Sequence, residues 1–287
     1  MAVLNAGAPE HARRQIVISP ARLSWMALPA HLRRLTDYWD LLYTLSAHRI
    51  SVRYRQTALG IFWAVLQPLL MMLIFTGVFS VLVRMPSDGL PYALFAYTAL
   101  LPWNFFATAL SNGTASLVNH TQLITRVYFP REILPITYLI AAAFDFFIGC
   151  GVLAVLLAWY GVPVSVQILQ AVPIILVLAA WALALALLFS AIQVRWRDVG
   201  MAVPLLVQLW MFASPVIYPL SAVPEAWRPW YLLNPLAGIV TAFREVLLRG
   251  TVSDYLPLQY SSLETAIVLP VAYLIFKRTE ATMADVV

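Results

Sequence analysis

Asp145 is the ionisable residue whose position most directly suggests chemistry. It lies nine residues after Ile136 in a long apolar run, which places it about 14 Å along a membrane-crossing helix. A charge near the middle of a bilayer costs about 2.5–3.5 kcal/mol, so Asp145 should face protein or water. Two roles fit this position: a proton relay, which would make the protein a proton-coupled carrier, or a structural acid paired with a neighbouring helix or an arginine. Because the other clear apolar runs contain no further acids or histidines, the sequence favours the structural role.

The remaining residues argue against an enzyme. Lys277 is the single lysine of the chain, so there is no Walker A motif, whose lysine reaches the β- and γ-phosphates of a nucleotide. If nucleotide drives this protein, it must bind another polypeptide. The one cysteine, Cys150, allows no intrachain disulfide and no cysteine-based metal site. We therefore expect no catalytic residue, metal or cofactor on this chain. An embedded glycosyl- or acyltransferase is a weak alternative, with these candidate acids: Glu225, Glu245 and Asp254.

Histidines do not change this expectation. The four histidines lie in polar segments without the spacing of a metal site, and they are His11, His31, His48 and His120.

The elements that position these residues are membrane helices. Of the 287 residues, 62% are hydrophobic and 11% are charged, whereas a soluble domain carries about 25% charge. A bilayer core needs roughly 20 apolar residues per helix. We predict an all-α integral membrane protein with six spans, the last being the shortest: 59–83, 90–110, 136–159, 171–194, 201–218 and 261–276.

Prolines and basic residues refine this topology. Pro91 and Pro102 in the second span, and Pro204 and Pro215 in the fifth, predict bent helices whose freed carbonyls are satisfied by neighbours. Fourteen of the 18 lysines and arginines fall in segments that six crossings place on the side of the termini. Since basic residues favour the cytoplasmic side, both termini are expected in the cytoplasm.

Residues 36–56 are predicted to form an interfacial amphipathic helix after a flexible leader, 1–35. Thr36 is a suitable N-cap, and Asp37 and Asp40 lie in the first turn, where the helix dipole favours negative charge. The helix either lies along the cytoplasmic membrane surface or packs on cytoplasmic loops. Its apolar residues at helical spacing are Tyr38, Leu41, Leu42, Leu45 and Val52.

Two segments between spans are longer than simple connections. The loop 111–135 exceeds the usual connection length, and a short helix within Asn112–Thr125 could present apolar residues to another protein. On the other side, Asn234 as N-cap, Pro235 at the first helical position and Gly250 at the end predict a helix over 234–250. At about 15 residues this helix cannot cross the bilayer.

Three stretches carry a family resemblance: RYRQTALGIFWAVLQP (53–68), VYFPREILPI (127–136) and NPLAGIVTAFREVLL (234–248). With the spacing of the spans, they resemble the permease subunit of ABC-2 type polysaccharide exporters, and most closely the Wzm-like O-antigen permeases. Capsule and teichoic-acid permeases are near relatives. The resemblance covers most of residues 40–280 and assigns 57–280 to an ABC-2 transmembrane domain, followed by a cytoplasmic tail, 281–287.

The resemblance implies a homodimer in the bacterial inner membrane, with two cytoplasmic ATP-binding-cassette ATPases that hold ATP and Mg. The substrate class it implies is a lipid-linked polysaccharide moved from cytoplasm to periplasm; O-antigen, capsule and teichoic acid remain open. It also implies coupling to the ATPase through Asn112, Leu117, Val118, Gln122, Leu123 and Ile124. A lipid-pyrophosphate entrance is implied at Arg53, Tyr54, Arg55, Leu59 and Gly60, and external gate helices at Asn234, Phe243, Arg244 and Glu245. For Arg53 and Arg55, positive-inside anchoring is an equal alternative.

A polysaccharide pathway needs flat aromatic surfaces and side-chain hydrogen bonds. Trp63 and Gln67 lie one turn apart on the first span and can share a face. Trp210 and Tyr218 on the fifth span are further candidates. Aromatic residues also concentrate at membrane interfaces, which is the simpler explanation for each of them.

Overall fold

The fold is a bundle of long helices. The computed structural model describes residues 36–55, 57–163 and 165–286, and every regular element in these ranges is helical. The predicted leader, 1–35, lies outside the described residues. We number the α-helices α1 (Trp39–Arg55), α2 (Phe62–Phe75), α3 (Tyr92–Thr114), α4 (Thr121–Arg126), α5 (Ile133–Trp159), α6 (Ala171–Arg195), α7 (Val199–Phe212), α8 (Arg228–Tyr231), α9 (Pro235–Arg249) and α10 (Leu256–Val286).

The predicted all-α membrane class is confirmed. Within the described ranges, five helical segments are long and apolar enough to cross a membrane: Phe62–Leu82, Tyr92–Thr114, Ile133–Trp159, Val166–Arg195 and Leu256–Glu280. The first consists of α2 and a π-helical continuation, Thr76–Leu82. The short helices Glu225–Tyr231 and α9 form a pair bent by 102° that counts as a sixth candidate. Pro91 lies at the N-cap of α3, outside the helix, so it does not bend this span as predicted.

The fifth predicted span, 201–218, is wrong in length. α7 is a 14-residue helix that ends at Phe212, about 21 Å long and shorter than a bilayer core. Pro215 explains the end, because a proline disfavours helical conformation in the residue before it and donates no backbone hydrogen bond. The carbonyls beyond the helix are satisfied by side chains from elsewhere: Arg244 donates to those of Pro215 and Val216, and Tyr92 to that of Ile217.

The last predicted span, 261–276, is also wrong in length. α10 has 31 residues and is the longest α-helix in the described part of the chain. Lys277 does not end it, because its charge is paired inside the protein. Its Nζ lies 2.7 Å from Glu132 Oε2 and 2.8 Å from Glu280 Oε2, and the Lys277 side chain is only 9% exposed.

The helices place functional segments at two ends of the bundle. We call one the α1 end; it contains α1, segment 115–132 and the turn 195–198. The other, the α9 end, contains segments 83–91 and 213–255. Within each end, hydrogen bonds link residues that are far apart in the sequence. Arg131 and Glu280 meet at the α1 end, and Asp88 and Ser221 meet at the α9 end.

α1 packs on the protein along one face. Tyr38, Leu41, Leu42 and Leu45 contact a buried cluster formed by segment 115–134, α6 and α10. Val52, predicted on the same apolar face, is instead 49% exposed. The continuous helix begins at Trp39 rather than at Thr36.

Candidate functional site

A small cavity between α1, α2, α3 and α5 brings together several predicted site residues. Its volume is about 90 Å³, and its lining includes Arg53 and Tyr54 from α1, Trp63 and Gln67 from α2, and Asp145 from α5. Residues predicted for the entrance and for the glycan pathway therefore share one cavity with the acid of the third span.

Asp145 is held by two donors from α1. Arg53 Nη1 donates to Asp145 Oδ2 at 2.5 Å, and the Tyr54 hydroxyl donates to Asp145 Oδ1. The Arg53 side chain is 43% exposed and that of Asp145 is 21% exposed. Burial raises the pKa of Tyr54 above its usual value, and the hydrogen bond to Asp145 adds to this effect, so the phenol stays protonated and donates. This geometry is the one expected of a structural acid.

The other entrance residues lie outside this ion pair. Arg55 is exposed at the end of α1, and Leu59 is 46% exposed. Gly60 adopts a φ of +52°, a left-handed conformation that glycine adopts readily. Its amide donates to the carbonyl of Thr57. Gly60 thus makes the tight turn through which α1 is joined to α2.

The predicted coupling segment is helical but faces partly inward. Asn112 lies in the last turn of α3, and the segment continues as a 3-10 turn, Val118–His120, and α4. Leu117 is fully buried and Ile124 is 5% exposed, both within the cluster beneath α1. These two side chains fix the segment to the bundle and are not free to enter a partner.

An exposed surface of polar and apolar residues remains on the outside of this segment. Gln122 is exposed, whereas Val118 and Leu123 are half-buried. Five further residues, which are not among the predicted coupling residues, are also exposed here, namely Asn119, Thr125, Arg126, Val127 and Tyr128. We call these five together with Gln122 the α4 surface.

A contact between α1 and the coupling segment was not predicted. Arg49 Nη2 donates to His120 Nε2 at 3.4 Å, and the Arg49 guanidinium carbon lies 3.3 Å from the ring centre of Tyr138 on α5. His120 Nδ1 lies 2.9 Å from the carbonyl of Ser116; since a carbonyl only accepts, Nδ1 carries the proton. Burial lowers the pKa of both Arg49 and His120 below their usual values. No sequence signal relates residues 71 positions apart.

Asn234 organises the turn between α7 and α9. Its Oδ1 accepts from the Leu236 amide, as an N-cap does, and from Trp210 Nε1 at 3.0 Å. Its Nδ2 donates to the carbonyl of Ala213 and to Ser214 Oγ. Gly250 ends α9 in the left-handed conformation, so the predicted cap residues of this helix are confirmed.

The rest of the predicted gate helix is enclosed by protein. Phe243 is 2% exposed and packs on Phe146, and Arg244 is 5% exposed. Glu245 Oε2 accepts from the amide of Ser253. A sharp bend of 102° separates this helix from the short helix before it, and its 15 residues are too few to cross a bilayer, as predicted.

The aromatic pathway candidates differ in availability. Trp63 is 45% exposed. Trp210 is half-buried, packs edge-on against Phe106 and is hydrogen-bonded to Asn234. Tyr218 shares a 2.6 Å hydrogen bond with the Tyr231 hydroxyl. Trp63 therefore has the freest aromatic surface of the three.

The weak enzyme candidates each have a partner within the protein, although the Glu225 side chain is 89% exposed. Glu225 Oε1 lies 3.7 Å from Arg228 Nη1, and Asp254 Oδ1 accepts from the amide of Leu256 at the start of α10. Together with Glu245, these acids bind backbone amides or an arginine.

Comparison with known proteins agrees with the three motifs. A sequence profile described as ABC-2 type transporter matches residues 40–248. The chain is similar to the O-antigen export system permease protein RfbA of Myxococcus xanthus, with 30% identity over 256 residues that cover 88% of this chain and 98% of the relative. The protein of the same name from Klebsiella pneumoniae is 28% identical, over 86% of this chain and 95% of the relative.

A third relative belongs to another export system. The polysialic acid transport protein KpsM of Escherichia coli is 22% identical over 83% of this chain and 93% of its own length. The resemblance that the motifs predicted is thereby confirmed. With a profile match over most of its length and relatives aligned almost end to end, the chain belongs to the ABC-2 type transporter family.

Proposed function

We propose that this chain is the membrane permease of an ATP-binding-cassette exporter that moves a lipid-linked polysaccharide, O-antigen-like, from the cytoplasm to the periplasm. It works as a homodimer in the bacterial inner membrane, and two separate ATPase subunits bind and hydrolyse ATP. The single observation that carries the proposal is the near full-length similarity to O-antigen export permeases. The alternative substrates are capsular polysaccharide and teichoic acid. Of these two, the similarity to a polysialic acid transport protein favours capsular polysaccharide.

Charge supports an orientation with the α1 end in the cytoplasm. Exposed basic side chains cluster there, including Arg126, Arg195, Arg197 and Arg278. Basic residues near span ends favour the cytoplasmic side. Trp39 and Tyr43 are one turn apart and 63% and 68% exposed, which suits aromatic anchoring of α1 at the membrane surface. Both termini are then cytoplasmic.

The α4 surface is the proposed contact with the ATPase. Leu117 and Ile124 hold it from below, so force on α4 is passed into the bundle rather than absorbed by a loose loop. The Arg49–His120 contact joins the same segment to α1, which carries Arg53 and Tyr54. Movement of α4 is therefore expected to reach the cavity that contains Asp145.

The entrance is proposed at the junction of α1 and α2. Arginine binds phosphate oxygens through two parallel hydrogen bonds. Arg55 is exposed and Arg53 is engaged by Asp145. A lipid pyrophosphate would thus bind Arg55 first and compete with Asp145 for Arg53. Trp63 and Gln67 in the adjoining cavity continue the path along α2.

An exposed-face substitution tests the coupling proposal. Thr125→Asp places a charge on the α4 surface without touching the buried cluster. Thr251→Asp is the matched control at the α9 end, where Thr251 is also exposed. We expect Thr125→Asp to reduce the ATPase that co-purifies with the chain by about tenfold, equivalent to about 1.4 kcal/mol. The control should behave as wild type. Unchanged ATPase binding and export by Thr125→Asp would contradict the coupling surface.

Leu123→Asp is a less specific probe of the same surface. Leu123 packs partly against the buried cluster, so this change is expected to reduce stability as well as ATPase binding. Comparing it with Thr125→Asp separates loss of coupling from loss of folding.

A further inference from the structure

A second cavity lies at the α9 end and is not used by any part of the proposed coupling path. It has a volume of about 720 Å³ and lies between α9, the start of α10 and segment 219–228. This volume falls within the range of about 300–1,000 Å³ typical of small-ligand sites. Its charged lining residues are Asp88, Glu245, Asp254, Arg228, Arg244 and Arg249.

Arg244 differs from the other two arginines of this cavity. Arg249 Nη2 lies 3.9 Å from Asp88 Oδ2, and Arg228 Nη1 lies 3.7 Å from Glu225 Oε1. Among the residues that the structure describes, no carboxylate lies within 4 Å of the Arg244 guanidinium. Arg244 is nevertheless the most buried of the three, at 5% exposure.

The contacts of Arg244 leave hydrogen-bonding capacity unused. Nη2 donates to the carbonyls of Pro215 and Val216 at 2.9 and 3.1 Å, and the guanidinium carbon lies 3.7 Å from the ring centre of Phe95. Nε is enclosed without a partner, as is the hydroxyl oxygen of Thr241. With Nη2 donating to two carbonyls and Nε enclosed, Nη1 is the nitrogen left for the cavity. Asp88 and Glu245 attract this guanidinium from longer range, but a buried cation without an anion in direct contact is unfavourable, and a bound anion relieves it.

The two remaining acids of the lining are oriented by backbone amides. Glu245 Oε2 accepts from Ser253 N at 2.6 Å, and Asp254 Oδ1 accepts from Leu256 N at 2.9 Å. Their other oxygens can accept from ligand hydroxyls. They also place negative charge in the wall, which disfavours a doubly charged ligand and admits one with a single carboxylate.

We propose that this cavity binds an acidic monosaccharide unit, with its carboxylate on Arg244 and its hydroxyls on the wall carboxylates of Glu245 and Asp254. The inference rests on the proposed function only in that an exported glycan supplies the sugar. The chemistry itself follows from a buried guanidinium with no carboxylate in direct contact, beside polar groups of both donor and acceptor type.

Binding to the full-length chain in nanodiscs of uncharged lipid tests the proposal. Sodium glucuronate, glucose and inorganic phosphate are titrated separately and in competition, and binding is followed by ligand-observed NMR. We expect glucuronate to bind about tenfold or more tightly than glucose, as one charge-assisted hydrogen bond allows. Arg244→Gln should abolish this preference, whereas Arg244→Lys should retain part of it. Arg84→Gln is the control, because Arg84 is exposed near the same end and does not line the cavity.

A second variant keeps the test decisive if Arg244→Gln does not fold. Ser221→Trp fills the cavity from an exposed lining position without altering Arg244, and it should reduce glucuronate binding to the level of glucose. Equal binding of glucose and glucuronate by wild type, or wild-type binding by Ser221→Trp, would overturn the proposal. Phosphate that displaces glucuronate at equal concentration would overturn the assignment to a sugar carboxylate.

The binding test is independent of transport. A chain that supports export but does not bind glucuronate refutes only the acidic-sugar site. A chain that binds glucuronate but supports no export refutes only the proposed function.

Discussion

The hydrogen bonds around Asp145 predict an unusual order of mutational effects. Tyr54→Phe removes a donor to a carboxylate that is only 21% exposed, so the free energy of unfolding should fall by about 1.5–3 kcal/mol. Arg53→Gln removes an ion pair whose arginine is 43% exposed, and such pairs contribute up to about 1 kcal/mol. Asp145→Asn keeps an oxygen acceptor for Tyr54 but weakens that hydrogen bond by removing the charge. Because the neutral amide also costs less to bury than the carboxylate, the net effect should stay within about 1 kcal/mol. Removing the neutral tyrosine hydroxyl should thus be more destabilising than removing either charge.

The assay is detergent-titrated unfolding of the purified chain, followed by circular dichroism, with export measured in parallel. In the double variant Tyr54→Phe with Asp145→Asn, the loss of the hydroxyl should matter less, because its charged acceptor is gone. Asp145→Asn should support export. If Asp145→Asn abolished export while unfolding and ATPase binding were unchanged, Asp145 would act as a proton relay and the structural account would be refuted.

Three further predictions concern contacts away from Asp145. Lys277→Met leaves Glu132 buried without its cation and should lower the free energy of unfolding by about 3–5 kcal/mol. In the double variant with Glu132→Met, the free energy of unfolding should fall by less than the sum of the two single changes, and additive losses would contradict the buried pair. Burial lowers the pKa of His120 in the folded state, so its stabilising contribution is complete above an unfolded-state pKa of about 6.5 and is lost as the pH falls through the lower folded value. His120→Gln should therefore remove this part of the pH dependence of the unfolding free energy. An unaltered pH profile in His120→Gln would contradict the prediction. Asn234→Ala removes a helix cap and contacts to Trp210, Ala213 and Ser214, so the free energy of unfolding should fall by about 2 kcal/mol in the same assay. A change within error of zero would show that Asn234 does not organise this turn.

Local chemistry made some parts of the fold predictable. Asn234, Pro235 and Gly250 define α9 because capping depends on the residues at the helix ends themselves. Long apolar runs likewise located the spans. The length of α7 was overestimated because the apolar composition continues through 213–218. The helix nevertheless ends at Phe212, three residues before Pro215.

Long-range pairing made other parts unpredictable. Lys277 looked like the end of a span, and its partner Glu132 lies 145 positions earlier in the chain. Leu117 and Ile124 were interpreted as outward-facing, since hydrophobicity alone does not tell a partner's groove from the chain's own core. Arg244 was predicted only as a residue of an external gate helix. Its burial could not be foreseen, because the carbonyls that it binds were freed by a break 28 and 29 positions upstream.

The central claim is that this chain forms the conduit while a separate subunit hydrolyses ATP. Its most direct test is transfer of a lipid-linked O-antigen polysaccharide across proteoliposomes that contain the chain alone, the chain with its ATPase, or the chain with an ATPase disabled in its nucleotide site. The account predicts ATP-dependent transfer only with the active ATPase, and no ATP hydrolysis by the chain alone. Transfer or ATP turnover by the chain alone at the rate of the complete complex would contradict it.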